Sequence, residues 1–289
     1  MLLNQSNTSN RLKVNPSVEI LDKVIKSFDD RQIKPKYPMG IPELDELTWG
    51  FHKKELLING ARPSHGKTTF SLFTTWNASE SGASVVFDSL EMSEENIIER
   101  LACSEFGING WKLRKGFPEE IKKFKDASDR MRARLIKNSF QPIDKHGKNI
   151  QEVEEILKQF NPDIYVIDHA QKISAKGYPN KYEALSDFVN RLQDLAIKYD
   201  VAIVLNSQIN RGGEFLKGSG DLEEAADTLL FLNWVCKDDP EHEDKQEFRV
   251  EVMKQRHGAC DSAIINFNAA TFSFSSRMIT SKFKEREIY

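Results

Sequence analysis

Cysteine is scarce in this chain: Cys103, Cys236 and Cys260 lie far apart in 289 residues. That spacing offers neither a disulfide framework nor a cysteine-based metal site, and it fits a reducing, intracellular compartment. Long apolar runs are missing too. None approaches the ~20 residues needed to cross a bilayer, so no membrane partner is expected. The opening stretch lacks the apolar core of a signal peptide, so residues 1–15 read as a disordered polar tail. Charge of one sign does not dominate, with 41 basic against 44 acidic residues and a net charge of −3. Such a total neither demands nor forbids a nucleic-acid partner, because local patches decide that. There is no internal repeat and no low-complexity segment. What remains is a globular composition, 39% hydrophobic and 29% charged.

One region is biased: twelve basic against five acidic residues fall between positions 111 and 148. They can form a phosphate-contacting face. However, Ile121, Phe124, Met131 and Leu135 recur at roughly helical spacing, so the solvated side of an amphipathic helix is the simpler account.

Residues 16–30 read as a separate helix with an apolar stripe of Val18, Leu21, Val24, Ile25 and Phe28, and residues 32–38 as a linker. A short amphipathic helix cannot bury its stripe alone, so it must dock on its own domain or on another subunit. From Gly40 onward, short apolar runs at 55–58, 84–87, 164–167, 202–205 and 228–232 alternate with helical stretches at 68–79, 94–106, 149–160 and 181–198. That alternation predicts a parallel sheet covered on both faces. Residues 247–253, 263–268 and 271–275 read as strands forming an antiparallel edge. The expected organisation is a tail (1–15), a linker helix and linker (16–38), one α/β domain (39–276) and a C-terminal tail (277–289).

The strongest chemical signal is Gly60-Ala61-Arg62-Pro63-Ser64-His65-Gly66-Lys67-Thr68, followed by Thr69. It fits G-x-x-x-x-G-K-[ST], and it lies between an apolar strand and a helical run, which is the context the motif requires. Its backbone amides can surround phosphate oxygens at the positive end of a helix. Lys67 can then reach the β- and γ-phosphates, and the Thr68 hydroxyl can ligate magnesium. Asp168 ends the apolar strand 164–167, where a carboxylate can hold the magnesium shell. Glu91 follows the second core strand and can take a proton from attacking water; equally, it can simply precede Ser93, which caps the next helix. Gln208 can sense a γ-phosphate or satisfy loop backbone groups. Lys254 and Arg256 can neutralise charge on a transferring phosphoryl group, although spacing alone favours an ordinary basic turn.

In this order these stretches resemble the ATPase domain of DnaB-type replicative helicases, within the RecA-like superfamily. The resemblance rests on Gly40-Ile-Pro-Glu-Leu-Asp45, the phosphate loop, Ser89-Leu-Glu-Met-Ser93, Lys112-Leu-Arg-Lys-Gly116, Val166-Ile-Asp168, Ser207-Gln-Ile-Asn-Arg211, residues 221–227 and Lys254-Gln-Arg256. It implies a RecA-like, mostly parallel sheet with helices on both faces and an antiparallel C-terminal edge, preceded by a linker helix. It implies ATP and Mg2+ as ligands, Glu91 as general base, Gln208 as γ-phosphate sensor, and Lys254 and Arg256 acting on the nucleotide of an adjacent subunit. A homo-oligomeric ring, usually hexameric, is implied as well, with single-stranded DNA in its central channel. Lys172, Lys176, Lys181, Arg211 and Lys217 fall in the loops that would contact that DNA, where backbone phosphate contact is expected to outweigh base stacking.

On the same resemblance the helix at 16–30 docks on the next subunit, a primase or helicase loader is a partner, and the setting is the cytoplasm of a bacterial or phage-infected cell. Two residues depart from the family pattern: His65 where Met is common, and His169 where Tyr is common. On this reading the family's N-terminal helical domain is not expected here, as would suit a phage or mobile-element version. A RecA-like recombinase, or a regulatory DNA-stimulated ATPase, is the alternative expectation.

Overall fold

The computed structural model describes residues 16–29, 35–144, 148–208 and 224–277. The chain divides into two compact units, residues 1–34 and 35–289. In the first, α1 (Pro16–Asp29) presents Val18, Leu21, Val24 and Ile25 as exposed side chains. None of the described helices is long and apolar enough to cross a membrane.

The second unit is built on a nine-stranded sheet. In chain order the strands are β1 (Leu56–Ala61), β2 (Val85–Ser89), β3 (Phe140–Ile143), β4 (Ile164–Asp168), β5 (Ala202–Gln208), β6 (Thr228–Trp234), β7 (Glu247–Gln255), β8 (Ser262–Asn268) and β9 (Ser273–Ser275). Their spatial order is β3-β2-β4-β5-β1-β6-β7-β8-β9. The six from β3 to β6 pair in parallel, and β7, β8 and β9 continue antiparallel. This is the mixed α/β architecture that the strand–helix alternation predicts.

Successive strand residues point to opposite faces, so a strand covered on both sides must be apolar throughout. β4 shows this directly. Ile164 and Val166 join one core layer, with Phe70, Leu72 and Trp76 of α3 (Lys67–Glu80) and Ile97 and Leu101 of α4 (Glu94–Phe106). Tyr165 and Ile167 join the other, with Val153 and Leu157 of α7 (Ile150–Phe160) and Phe188 and Leu192 of α8 (Lys181–Tyr199).

The basic stretch becomes α6 (Pro118–Lys137), which buries Ala127 and Met131 and partly buries Phe124 and Leu135. Its lysines face solvent, as the amphipathic reading predicts. Further short helices include α2 (Pro42–Thr48) and α5 (Gly110–Arg114).

An aromatic cluster lies under the phosphate loop. Phe70 and Phe248 stack at 6.0 Å between centroids, and Phe267 and Phe274 at 4.6 Å. Gly66 rests on this cluster with φ +79°, where a Cβ would come within 3.4 Å of Phe248. A left-handed conformation and that close approach both favour glycine at the start of α3.

Candidate active site

Parallel strands deliver their C-terminal ends to one edge of the sheet, and the loops leaving that edge form the crevice. β1 ends at Gly60 and Ala61, β2 at Ser89, β4 at Asp168 and β5 at Gln208. The phosphate loop, Glu91, Asp168 and Gln208 are thereby brought to one edge.

The loop is tethered at its shoulder. Arg62 Nη1 donates to Asp238 Oδ2 at 2.6 Å, and the Trp234 N–H donates to His65 Nδ1 at 3.3 Å. His65 is buried, and burial holds its pKa below the usual histidine value. Its ring thus supplies an acceptor for a backbone donor. Pro63 and Ser64 are exposed at the apex, Ser64 with φ +66°. Lys67 and Thr68 open α3. Burial lowers the Lys67 pKa, and the Asp168 and Glu91 carboxylates oppose that shift. Two acids therefore face the lysine that is suited to phosphate.

Thr69 is buried and accepts a 3.3 Å hydrogen bond from Arg100 Nη1, whose guanidinium also lies over the Phe272 ring at 5.1 Å. Burial lowers the Arg100 pKa, with Arg114 adding to the effect and Asp168 and Glu91 opposing it. Arg100 was not among the expected site residues. Its only mark in the sequence is a cation inside the apolar stripe of α4.

Glu91 is set by a turn in which Ser89 Oγ accepts from the Met92 N–H at 2.8 Å, just before Ser93 caps α4. Glu91 thus directly precedes a capped helix start, as one of its two readings has it. Its side chain is 54% exposed, so water can reach it, and Oε2 lies 3.1 Å from His169 Nδ1 without the alignment of a hydrogen bond. Burial pushes the His169 pKa down and Lys67 adds to that shift.

Asp168 is fully buried. Its Oδ1 accepts from Asn206 Nδ2 at 2.9 Å, whereas Oδ2 has no hydrogen-bond partner among the described residues. A buried bare carboxylate oxygen beside the first turn of α3 fits a hard cation that prefers oxygen ligands, with Thr68 as the second donor. Gln208 is fixed through its backbone: its N–H donates to Gln171 Oε1 at 3.0 Å, and Gln171 Nε2 donates back to the Gln208 carbonyl at 3.3 Å.

Lys254 and Arg256 lie elsewhere. β7 runs antiparallel to β6, so Gln255 pairs with Thr228, which pairs with Leu57 at the opposite end of β1 from Ala61. At ~3.3 Å per residue the four steps amount to about 13 Å along the sheet, before the loop itself is counted. Lys254 Nζ donates to the Glu224 carbonyl at 2.8 Å, and Arg256 Nε pairs with Asp227 at 3.0 Å. Lys172, Lys176 and Lys181 are exposed along the segment that follows β4. Arg211 and Lys217 lie outside the described residues.

With this geometry in place, known proteins give a direct comparison. The DnaB-like helicase C-terminal domain family matches residues 37–276. The chain belongs to this family. The replicative DNA helicase DnaC of Bacillus subtilis is 30% identical over 249 residues, covering 80% of this chain and 54% of that protein. The replicative DNA helicase DnaB of Geobacillus stearothermophilus is 29% identical over 245 residues, with the same coverage. The chain therefore spans about half the length of the curated relatives it matches. Among solved structures, the ATPase domain of G40P aligns with a TM-score of 0.81 at 27% identity, over 90% of this chain and 98% of that one. A DnaB-like replicative helicase described with its primase interactions gives the same TM-score and identity, over 89% of this chain and 68% of the other. The DnaB-like family and the RecA-like fold, both expected from the motif order, are thereby established.

Proposed function

We propose that this DnaB-family chain is an ATP-hydrolysing DNA helicase motor that moves along single-stranded DNA and separates the duplex during replication. The observation that carries the reading is the convergence of the phosphate loop, the water-accessible Glu91 and the bare Asp168 Oδ2 on one sheet edge. Lys67 neutralises the β- and γ-phosphates, and Gln208 reads the γ-phosphate. Glu91 accepts the proton of the water that attacks the γ-phosphorus. Thr68 and Asp168 would hold magnesium, which draws charge from the phosphate oxygens when bound.

Lys254 and Arg256 serve the nucleotide of an adjacent copy. Their place at the far end of β7, about 13 Å along the sheet from β1's phosphate end, supports action in trans. That role requires a homo-oligomer, for which we infer a hexameric ring. Lys172, Lys176 and Lys181, with Arg211 and Lys217, contact the DNA backbone in its channel. A primase or loader is the expected protein partner, in the cytoplasm of a bacterial or phage-infected cell.

The test compares ATP turnover with and without single-stranded DNA, and strand displacement on a forked duplex. DNA-stimulated turnover with displacement is expected. Stimulated turnover without displacement defeats the helicase role and favours a regulatory DNA-stimulated ATPase, and turnover indifferent to DNA contradicts a DNA-driven motor.

A further inference from the structure

The sheet core contains one polar row that packing does not require. Asn59 of β1 pairs with Asn206 of β5, and Asn206 pairs with Asp168 of β4. All three side chains are almost wholly buried, as is Ser71 of α3, one turn beyond Lys67. Apolar residues would fill these positions without the desolvation cost that each buried amide carries.

The hydrogen bonds of the row run in one direction. Asn59 Nδ2 donates to Ser71 Oγ at 2.9 Å, and Ser71 Oγ donates to Asn206 Oδ1 at 2.6 Å. Asn59 Nδ2 also reaches Asn206 Oδ1 at 3.2 Å. Asn206 Nδ2 then donates to Asp168 Oδ1 at 2.9 Å. Donors pointing the same way polarise one another, and this chain ends on a single carboxylate oxygen. Taking up Oδ1 fixes the plane of the carboxylate and leaves Oδ2 as the available ligand.

We infer that Asn206 is a positioning residue for the metal-binding carboxylate, held in register by Asn59 and Ser71 so that α3 and Asp168 keep a fixed spacing. This rests on the reading of Asp168 as a magnesium ligand. Ser71 shares a helix with Lys67 and Thr68, and Asn59 precedes Gly60. The relay therefore ties both arms of the phosphate loop to the acid opposite.

The test uses the full chain, a non-hydrolysable ATP analogue and Mn2+ as the probe, with bound metal read by electron paramagnetic resonance. Asn206→Leu is expected to weaken Mn2+ binding about 10-fold, the low end of effects seen for groups behind a metal ligand. Affinity for the analogue in excess chelator should stay unchanged, and a thermal melt checks the fold. Ser71→Ala, a milder change, should weaken Mn2+ binding less but in the same direction; it decides the matter if the leucine variant does not fold. Asp168→Ala is the control. If Asp168→Ala loses Mn2+ while Asn206→Leu, or Ser71→Ala in its place, retains it, the positioning role is wrong and the metal assignment stands. Both fall if Asp168→Ala keeps the metal. An equal loss of chelator-insensitive nucleotide affinity in Asn206→Leu would mark a general structural role and overturn the inference.

Discussion

Asp227 holds Arg256 twice, by a 3.0 Å side-chain pair and by its carbonyl, which accepts the Arg256 N–H at 2.9 Å. Its other carboxylate oxygen accepts the Leu56 N–H at 2.9 Å, so the anchor is built into the start of β1. Arg256 is thus anchored at a strand end, half exposed, beside the end of β1 opposite its own phosphate loop. Homogeneous assemblies of Arg256→Ala and of Glu91→Gln should each hydrolyse ATP poorly. Mixed assemblies should recover measurable turnover, since some interfaces regain both groups. No recovery, with mixing verified by mass, removes the action in trans.

Glu91→Gln alone should lower ATP turnover by about 10²–10⁴, the range for loss of a general base. Nucleotide affinity, measured by fluorescent-analogue titration, should hold. Wild-type turnover would exclude Glu91 as the base.

Asp163 gives the stability a definite pH dependence. Burial raises its pKa, but hydrogen bonds from Lys53, Ser84 and Tyr37 outweigh that and hold the carboxyl well below the usual range. A depressed folded-state pKa contributes stability that is complete above the unfolded value of about 4 and lost as pH falls below it. Asp163→Asn should therefore cost about 1–3 kcal/mol at pH 7. Thermal melts should show the gap between variant and wild type narrowing below about pH 4. A gap that is constant down to pH 3 contradicts the assignment.

Beneath the Glu91 turn, Asp88 pairs with Lys148 and accepts the Tyr165 hydroxyl, all three buried. Lys148→Met should destabilise the fold by about 3–5 kcal/mol, because it removes the cation paired with a buried carboxylate. Adding Asp88→Asn should recover part of the loss, since the amide still accepts from Tyr165. Denaturant titration decides; additive losses would argue against the coupling.

Much of this was legible in the sequence, for identifiable reasons. The β1–α3 junction is readable because strand, glycines, lysine and helix follow one another without a break. β4 and β5 are readable because burial on both faces forces unbroken apolar runs. β3 escaped notice because Pro142 sits in a strand of only four residues. α2 escaped because its seven residues barely make two turns. The polar row was visible in part: Asn59 and Asn206 each end an apolar run, in β1 and β5. Nothing local, however, says that two such positions 147 residues apart meet. Arg100 is hidden for the same reason, since its partners Thr69 and Phe272 come from distant segments.

The borders of the sheet have a consequence of their own. One is β3, with Pro142 and its missing donor, and the other is the three-residue β9. Short or proline-bearing borders are poor templates for main-chain pairing with another molecule. Among the described residues, then, both rims resist strand addition, the route by which flat β-structures grow into fibrils. In the proposed homo-oligomer, contacts between copies would then fall to helices and loop ends, where shape and charge set the geometry, rather than to backbone ladders that accept almost any neighbour.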